Sequence, residues 1–174
     1  VADQGNIGGE DIAIATATFM PSVAVNADEC VLFGFAASAS TIYCGAYMAG
    51  REATDPPGTV QLAGVVQAGL DYYLRTFGAG RNRWGDYMGI AHDHTCDTAW
   101  SVTEYAPSTD VWRTVITEVL GNTAQMSTAS NVATTVNIAS TCNAYYTGNS
   151  INFYNAGGGC SNTAFSTVVS HEWG

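Results

Sequence analysis

The feature that most constrains the fold is a repeated alternation of apolar and polar residues over the first 120 of 174 residues. Because successive side chains of a strand point to opposite faces, a period of two is typical of short strands with one buried face. Turn-forming sequences separate the alternating segments, and the pattern predicts a mainly β fold of antiparallel strands, arranged as a sandwich or as propeller-like blades. The predicted strands are 12–18, 23–25, 31–35, 72–77, 99–105 and 111–117, and the predicted turns are 26–28, 55–58, 78–80 and 107–108.

The composition changes near Gly121, which predicts two regions, a β-rich module over 1–120 and a second region over 121–174. Residues 121–141 are rich in Thr, Ser, Asn and Ala and form either a linker or a polar edge strand. A further strand is expected from Ser150 to Tyr154. One short C-terminal helix is expected to begin at Ser161 or Asn162, because apolar residues then recur at helical spacing.

The charge balance restricts the partners. Fifteen carboxylates face five arginines and no lysine, giving a formal net charge of −10. A phosphate backbone would be repelled, so we expect no nucleic acid partner. The chain has no run of about eighteen apolar residues, so we expect no membrane span. The partners that remain are another protein or further copies of this chain.

Five cysteines suggest an oxidising, extracellular location. Cys30 and Cys44 flank two apolar runs that we expect to pair as neighbouring strands, and Cys142 and Cys160 bracket a Tyr- and Gly-rich segment. Two disulfides joining these pairs would each close a loop of about fifteen residues and contribute about 3 kcal/mol. Cys96 is left without a partner.

A candidate metal site lies at His92, His94 and Cys96. On a strand, residues at i, i+2 and i+4 share one face, so these three side chains would converge on a borderline metal such as zinc. The alternative is a surface loop between two strands, with Cys96 buried.

A candidate ligand-binding cluster is formed by Trp84, Asp86 and Tyr87, together with Arg83. Trp84 would stack on a sugar ring. In the alternative interpretation Trp84 and Tyr87 are core anchors, and Asp86 pairs with Arg83 or caps a turn.

Residues 21–106 resemble the sialidase-like β-propeller repeats of large secreted bacterial proteins. The resemblance is carried by Pro21 to Asn26, by Arg83-Trp84-Gly85-Asp86-Tyr87 with Asp93, and by Trp100 to Tyr105. His94 and Cys96 depart from that pattern, which favours a Pro and an acidic residue there. A whole propeller needs at least four blades of four strands, so the resemblance implies one or two blades, or another β fold built from similar strands.

Residues 136–174 resemble the region that enters the active-site helix of secreted zinc metallopeptidases. The segments are Val136-Asn137-Ile138, 142–146, 150–154, 157–160 and Val168 to Glu172. The resemblance implies that His171 is the first zinc ligand and Glu172 the general base of a His-Glu-x-x-His helix. The second His and the downstream third ligand are absent from these 174 residues. The site is therefore incomplete, and we expect no activity from this chain alone.

Two functions follow from the sequence. In the first, the chain is a fragment of a secreted zinc-metallopeptidase-like β-rich protein, with zinc as its cofactor. In the second, it is a non-catalytic extracellular β-module with a structural, adhesive or filament-forming role. The low charge of its surface and an unpaired strand edge would then favour packing against copies of itself.

Overall fold

The computed structural model describes residues 4–76, 78, 80–94 and 98–120, together with three later strands. The chain divides into two compact units, Val1–Asn131 and Val132–Gly174. The described residues contain ten strands and no helix, and the helix expected from Ser161 onward lies outside them. The strands are β1 (Ala17–Val25), β2 (Val31–Ala39), β3 (Ile42–Arg51), β4 (Gly64–Gln67), β5 (Gly89–Asp93), β6 (Thr98–Ser108), β7 (Val111–Leu120), β8 (Thr128–Thr141), β9 (Ala144–Thr147) and β10 (Ser150–Asn155).

Two antiparallel sheets build the first unit. The first sheet has the order β1-β2-β3-β4, and the second contains β5-β6-β7 in that order. In the second unit β10 pairs with β8 in parallel and with β9 antiparallel. The mainly β, antiparallel, sandwich-like fold expected from the alternating pattern is confirmed.

The two sheets of the first unit pack face to face. Ala46 and Met48 of β3 and Val66 of β4 form one apolar cluster with Val115 and Val119 of β7. Burying these side chains removes apolar surface from water at about 25 cal/mol per Å², and this term drives the association of the two sheets.

The centre of the first sheet is buried on both faces. Phe35 lies opposite Tyr47 in the β2–β3 register, and their rings stack with centroids 6.3 Å apart. This second cluster packs against Ile7 and Ile12, which precede β1. A strand buried on both faces needs apolar residues at every position, and β2 and β3 are accordingly rich in consecutive apolar and small residues.

Gly34 permits a close approach between the two sheets of the first unit. A Cβ added at Gly34 would lie 2.9 Å from Ser101 Oγ on β6, a separation at which one of the two must shift. Ser101 Oγ also lies 3.1 Å from Thr103 Oγ1, and both residues are buried. Gly34 therefore lets β2 and β6 approach without a side chain between them.

Three sequence predictions of local structure are wrong. Residues 10–15 form turns, and β1 begins only at Ala17. Residues 72–76 lie outside any strand, because side chains bind their amides in place of a neighbouring strand. The turn expected at Pro107-Ser108 comes two residues later, with Asp110 at φ 56°. Strands were correctly predicted at 31–35, 99–105, 111–117 and 150–154.

The predicted bridge between Cys30 and Cys44 is not formed, and both cysteines are free thiols. Cys30 precedes Val31, which pairs with Arg51, whereas Cys44 precedes Gly45, which pairs with Ala37 at the other end of the hairpin. Six residues of strand span about 20 Å, and a disulfide needs Cα atoms within about 7 Å. Cys96, Cys142 and Cys160 lie outside the described residues.

No helix among the described residues is long and apolar enough to cross a membrane.

Candidate functional site

One cleft in the first unit collects most of the aromatic and charged side chains that the sequence singles out. Its volume is about 250 Å³, and its walls come from Tyr73, from residues 83–87, from β6 and from β7. The lining residues are Tyr73, Arg83, Trp84, Asp86, Tyr87, Glu104 and Trp112.

Hydrogen bonds attach the segment that carries Tyr73 to the turn between β6 and β7. Leu70 N–H donates to Ala106 O at 2.7 Å, and Asp110 N–H donates to Tyr72 O at 3.0 Å. The Asp110 carboxylate accepts from Leu74 N–H at 2.7 Å. Side-chain oxygens and single backbone hydrogen bonds thus fix the backbone of this wall of the cleft, instead of a continuous strand ladder.

A second contact ties the same segment to that turn. Thr109 Oγ1 donates to Asp71 Oδ2 at 2.6 Å, and Tyr72 N–H donates to Asp71 Oδ1 at 2.8 Å. The hydrogen bond from Thr109, followed by that from Tyr72, lowers the pKa of the Asp71 carboxyl below its ordinary value. Asp71 is therefore a fixed, ionised acceptor at the outer end of the wall.

Asn82 bends the chain back toward the cleft. Its Oδ1 accepts from Arg75 N–H at 2.7 Å, its Nδ2 donates to Tyr73 O at 3.3 Å, and Arg83 N–H donates to Arg75 O at 3.2 Å. These bonds bring Arg83 and Trp84 back beside Tyr73, whose ring meets that of Trp84 edge to face with centroids 5.1 Å apart.

Glu104 on β6 forms the floor of the cleft and holds the next turn in place. Only 2% of its surface is exposed. Oε2 accepts from Gly85 N–H at 2.9 Å and Oε1 from Tyr87 N–H at 3.0 Å. Burial raises the pKa of Glu104, the two amides lower it, and nearby Asp86 raises it; the net direction is upward. Two amide donors satisfy this buried carboxylate without a cation.

Gly85 is required at this turn. Its φ of +90° lies in the region that favours glycine, and a Cβ there would run into the side chain of Met20 on β1. The sequence Trp84-Gly85-Asp86 can therefore turn sharply over Glu104.

Tyr87 and Trp112 form an aromatic platform. Their rings are nearly parallel, at 10°, with centroids 4.8 Å apart, and Tyr87 is 37% exposed. Trp84 is less exposed, and its Nε1 has no acceptor among the described residues. Tyr87 thus presents aromatic surface to solvent, while Trp84 is held by packing.

An ion pair lies on the rim of the cleft. Arg83 Nη2 and Asp86 Oδ2 are 3.2 Å apart, and the two side chains are 57% and 58% exposed. The Arg83–Asp86 pair, which the alternative interpretation of the sequence predicts, is therefore present. Both groups also face solvent, where a ligand can reach them.

All three predicted ligand-binding residues, Trp84, Asp86 and Tyr87, lie at one cleft. Sequence reasoning did not assign Tyr73, Glu104 or Trp112 to the site. The sequence signal that could have revealed the site was Glu104, a carboxylate inside an otherwise uncharged strand of eleven residues. A buried charge in such a strand needs hydrogen-bond partners nearby.

The side chains of His92 and His94, the two histidines of the predicted metal site, are in contact. His92 Nδ1 and His94 Nδ1 are 3.1 Å apart, and their rings are perpendicular. Cys96 lies outside the described residues. Where the chain is described, no group of three or more His, Cys, Asp or Glu side chains is arranged to hold a metal ion.

The predicted peptidase residues His171 and Glu172 also lie outside the described residues, so their roles stay predictions. No protein family model, curated protein or solved structure matches this chain.

Proposed function

We propose that the first unit is a non-catalytic, extracellular adhesive module that binds a neutral glycan in the cleft around Tyr87 and Trp112. The observation that carries the proposal is the stacked pair of aromatic rings beside an exposed Arg83–Asp86 pair. An aromatic face packs on the C–H groups of a sugar ring, and the charged pair offers a donor and an acceptor to neighbouring hydroxyls.

The charges of the cleft favour a neutral ligand. Arg83 and Asp86 neutralise each other, and Glu104 lies beneath them with one amide donor on each oxygen. An anionic ligand would meet two carboxylates against one guanidinium, and a cationic ligand would have to displace Arg83 from Asp86, because Glu104 is almost wholly buried. A hydroxyl group suits both rim charges, because it donates to a carboxylate and accepts from a guanidinium.

The carboxylates of the cleft support binding over catalysis. A general acid or base must exchange its proton with a substrate at hydrogen-bond distance. Glu104 is almost wholly buried and serves as the acceptor for Gly85 and Tyr87. Asp86 is the exposed carboxylate, and it is paired with Arg83.

The size of the cleft suits a short ligand segment. A volume of about 250 Å³ is just below the range of about 300–1,000 Å³ that drug-sized ligands occupy. One or two sugar units would fit, and a single site of this kind binds weakly. Adhesion would then come from several modules acting on one polymer, which raises the overall affinity without new contacts.

A panel of neutral, sulfated and amino-substituted oligosaccharides tests the proposal by calorimetry or ligand-observed NMR. We expect binding of neutral members and at least tenfold weaker binding by Trp112→Ala. The matched control is Tyr43→Ala, which removes a 49% exposed tyrosine of β3 that does not line the cleft. Binding that is confined to charged members, or equally weakened by both variants, would overturn the proposal.

We also propose, from the sequence, that this chain is part of a secreted zinc-metallopeptidase-like protein. The His171-Glu172 pair supports it, as the first ligand and the base of a zinc helix. Zinc binding by a longer polypeptide that contains a second His four residues after His171, lost in His171→Ala, is the expected result. Unchanged zinc binding in that variant would contradict it.

A further inference from the structure

We propose that His92 and His94 bind one late first-row divalent ion, Cu²⁺ most tightly and Zn²⁺ more weakly, through their two Nδ1 atoms. This site is separate from the glycan cleft and does not depend on it. Neither residue lines the cleft, and both lie on or directly after β5, the outer strand of β5-β6-β7 in the first unit.

The distance between the two nitrogens carries the proposal. Nitrogens bound at about 2.0–2.1 Å to one ion are separated by about 2.9 Å in adjacent square or octahedral positions and about 3.3 Å in tetrahedral positions. His92 Nδ1 and His94 Nδ1 are 3.1 Å apart, between these two values. The ion would therefore need little change in the separation of the two nitrogens, and each ring would turn its Nδ1 lone pair toward the ion.

The local backbone keeps the two rings together. His92 pairs with Ala99 of β6 in the antiparallel register, and Asp93 pairs with Thr98, so His94 follows at the point where the strand ends. His94 is the first residue of the following turn, and the contact between the two rings shows that this turn keeps its side chain beside that of His92. The rings stand at 90° with centroids 4.6 Å apart, which lets both approach one point without stacking on each other.

Without metal, the same two atoms share a proton. One imidazole nitrogen must donate and the other must accept at this separation. A metal ion needs the lone pairs of both Nδ1 atoms, so on binding the donating ring gives up its Nδ1 proton to water and takes the Nε2–H tautomer. Two imidazole donors favour copper, nickel and zinc, with Cu²⁺ bound most tightly in the usual order of divalent ions.

Titration of the chain with Cu²⁺ and then Zn²⁺ in a non-coordinating buffer tests the site, with calorimetry and electron paramagnetic resonance as readouts. We expect one equivalent of Cu²⁺ and hyperfine coupling to two nitrogens. His94→Ala should weaken binding at least tenfold and leave coupling to one nitrogen. His94 is exposed, so this variant keeps the fold, which circular dichroism verifies. His92→Ala should give the same loss.

Two control variants separate this site from the others in the chain. His171→Ala removes the remaining histidine, and Cys96→Ser removes the nearest thiol in sequence. Both should retain Cu²⁺ binding within twofold. The proposal is overturned if His94→Ala binds as tightly as the parent chain, or if binding is lost in His171→Ala or Cys96→Ser.

Discussion

The carboxylate of Glu104 on β6 accepts a hydrogen bond from the backbone N–H of Tyr87, 3.0 Å away. This one bond joins the floor of the cleft to its aromatic platform, because the Tyr87 ring stacks on Trp112 of β7. A second bond from Gly85 to the same carboxylate fixes the turn on the other side of Asp86. The geometry of the cleft therefore depends on the pairing of β6 with β7 and on the buried carboxylate of Glu104.

Glu104 should make the stability of the fold depend on pH. Burial raises the pKa of Glu104 above its ordinary 4.5, so the folded chain binds this proton more tightly than the unfolded chain does. Its contribution is fully present below pH 4.5 and is lost as the pH rises through the raised folded value. We expect the unfolding free energy of the parent chain, relative to Glu104→Gln, to increase on acidification from pH 7. A difference in unfolding free energy between the two chains that does not change with pH, or that grows as the pH rises, would contradict this.

Glu104→Gln should also destabilise the fold near neutral pH. The amide nitrogen of Gln can only donate, so either Gly85 or Tyr87 loses the acceptor of its N–H. An unsatisfied buried donor costs about 1–3 kcal/mol. Urea unfolding measures this cost. The corresponding carboxylate-to-amide change at exposed Asp86, Asp86→Asn, serves as the control and should change the free energy of unfolding by no more than about 0.5 kcal/mol.

Gly34→Ala should destabilise the sandwich, because the new Cβ would clash with Oγ of Ser101. The new Cβ would lie 2.9 Å from Ser101 Oγ but 4.0 Å from Ser101 Cβ. Overpacking of this kind costs about 1–3 kcal/mol. Ser101→Ala removes the clashing atom, so the double variant should be more stable than the sum of the two single changes predicts. Strictly additive free energies of unfolding would show that the sheets are not in contact there.

The two thiols of the β2–β3 hairpin should differ in reactivity. Burial, with a smaller contribution from the Glu104 charge, raises the pKa of Cys44 to about 12. At pH 8 Cys44 is then almost entirely the unreactive thiol. We expect iodoacetamide to modify Cys30 in the folded chain and Cys44 only after unfolding, as measured by peptide mass spectrometry. Recovery of a peptide pair joined through Cys30 and Cys44 would contradict the observed register.

The exposed ion pair should matter for binding and little for folding. Arg83 and Asp86 are more than half exposed, and such pairs contribute about 0–1 kcal/mol to stability. Arg83→Ala should therefore unfold within about 0.5 kcal/mol of the parent chain and bind a neutral glycan less tightly. The double variant Arg83→Ala with Asp86→Ala should bind no better than the single one. A large loss of stability would show that the pair is structural.

The period-two alternation predicts the sandwich-like fold because it records which side chains the sheets bury. It succeeds in identifying β6 and β7 as strands, although both contain consecutive buried residues. It fails for 72–76, because Asp71, Asn82 and Asp110 bind the amides of that segment in place of a neighbouring strand. The side chains that replace strand pairing here come from residues up to 36 positions away, and a local sequence pattern does not include them.

The candidate site was predictable in part. Trp84, Asp86 and Tyr87 are adjacent in the sequence, so their cluster is visible without a structure. Glu104 and Trp112 join them only through the β6–β7 pairing. The prediction of a bridge between Cys30 and Cys44 failed for the same physical reason. Spacing in sequence does not give the register, and the register separates Cys30 from Cys44.

The most direct test of the cleft as a glycan site is a titration followed by tryptophan fluorescence, in the parent chain and in Tyr87→Ala. Trp84 and Trp112 both line the cleft, so a bound sugar should change their emission. We expect a saturable change with a neutral oligosaccharide, with affinity at least tenfold weaker in Tyr87→Ala and unaltered in Tyr43→Ala. No change at saturating sugar, or an equal response in all three chains, would contradict it.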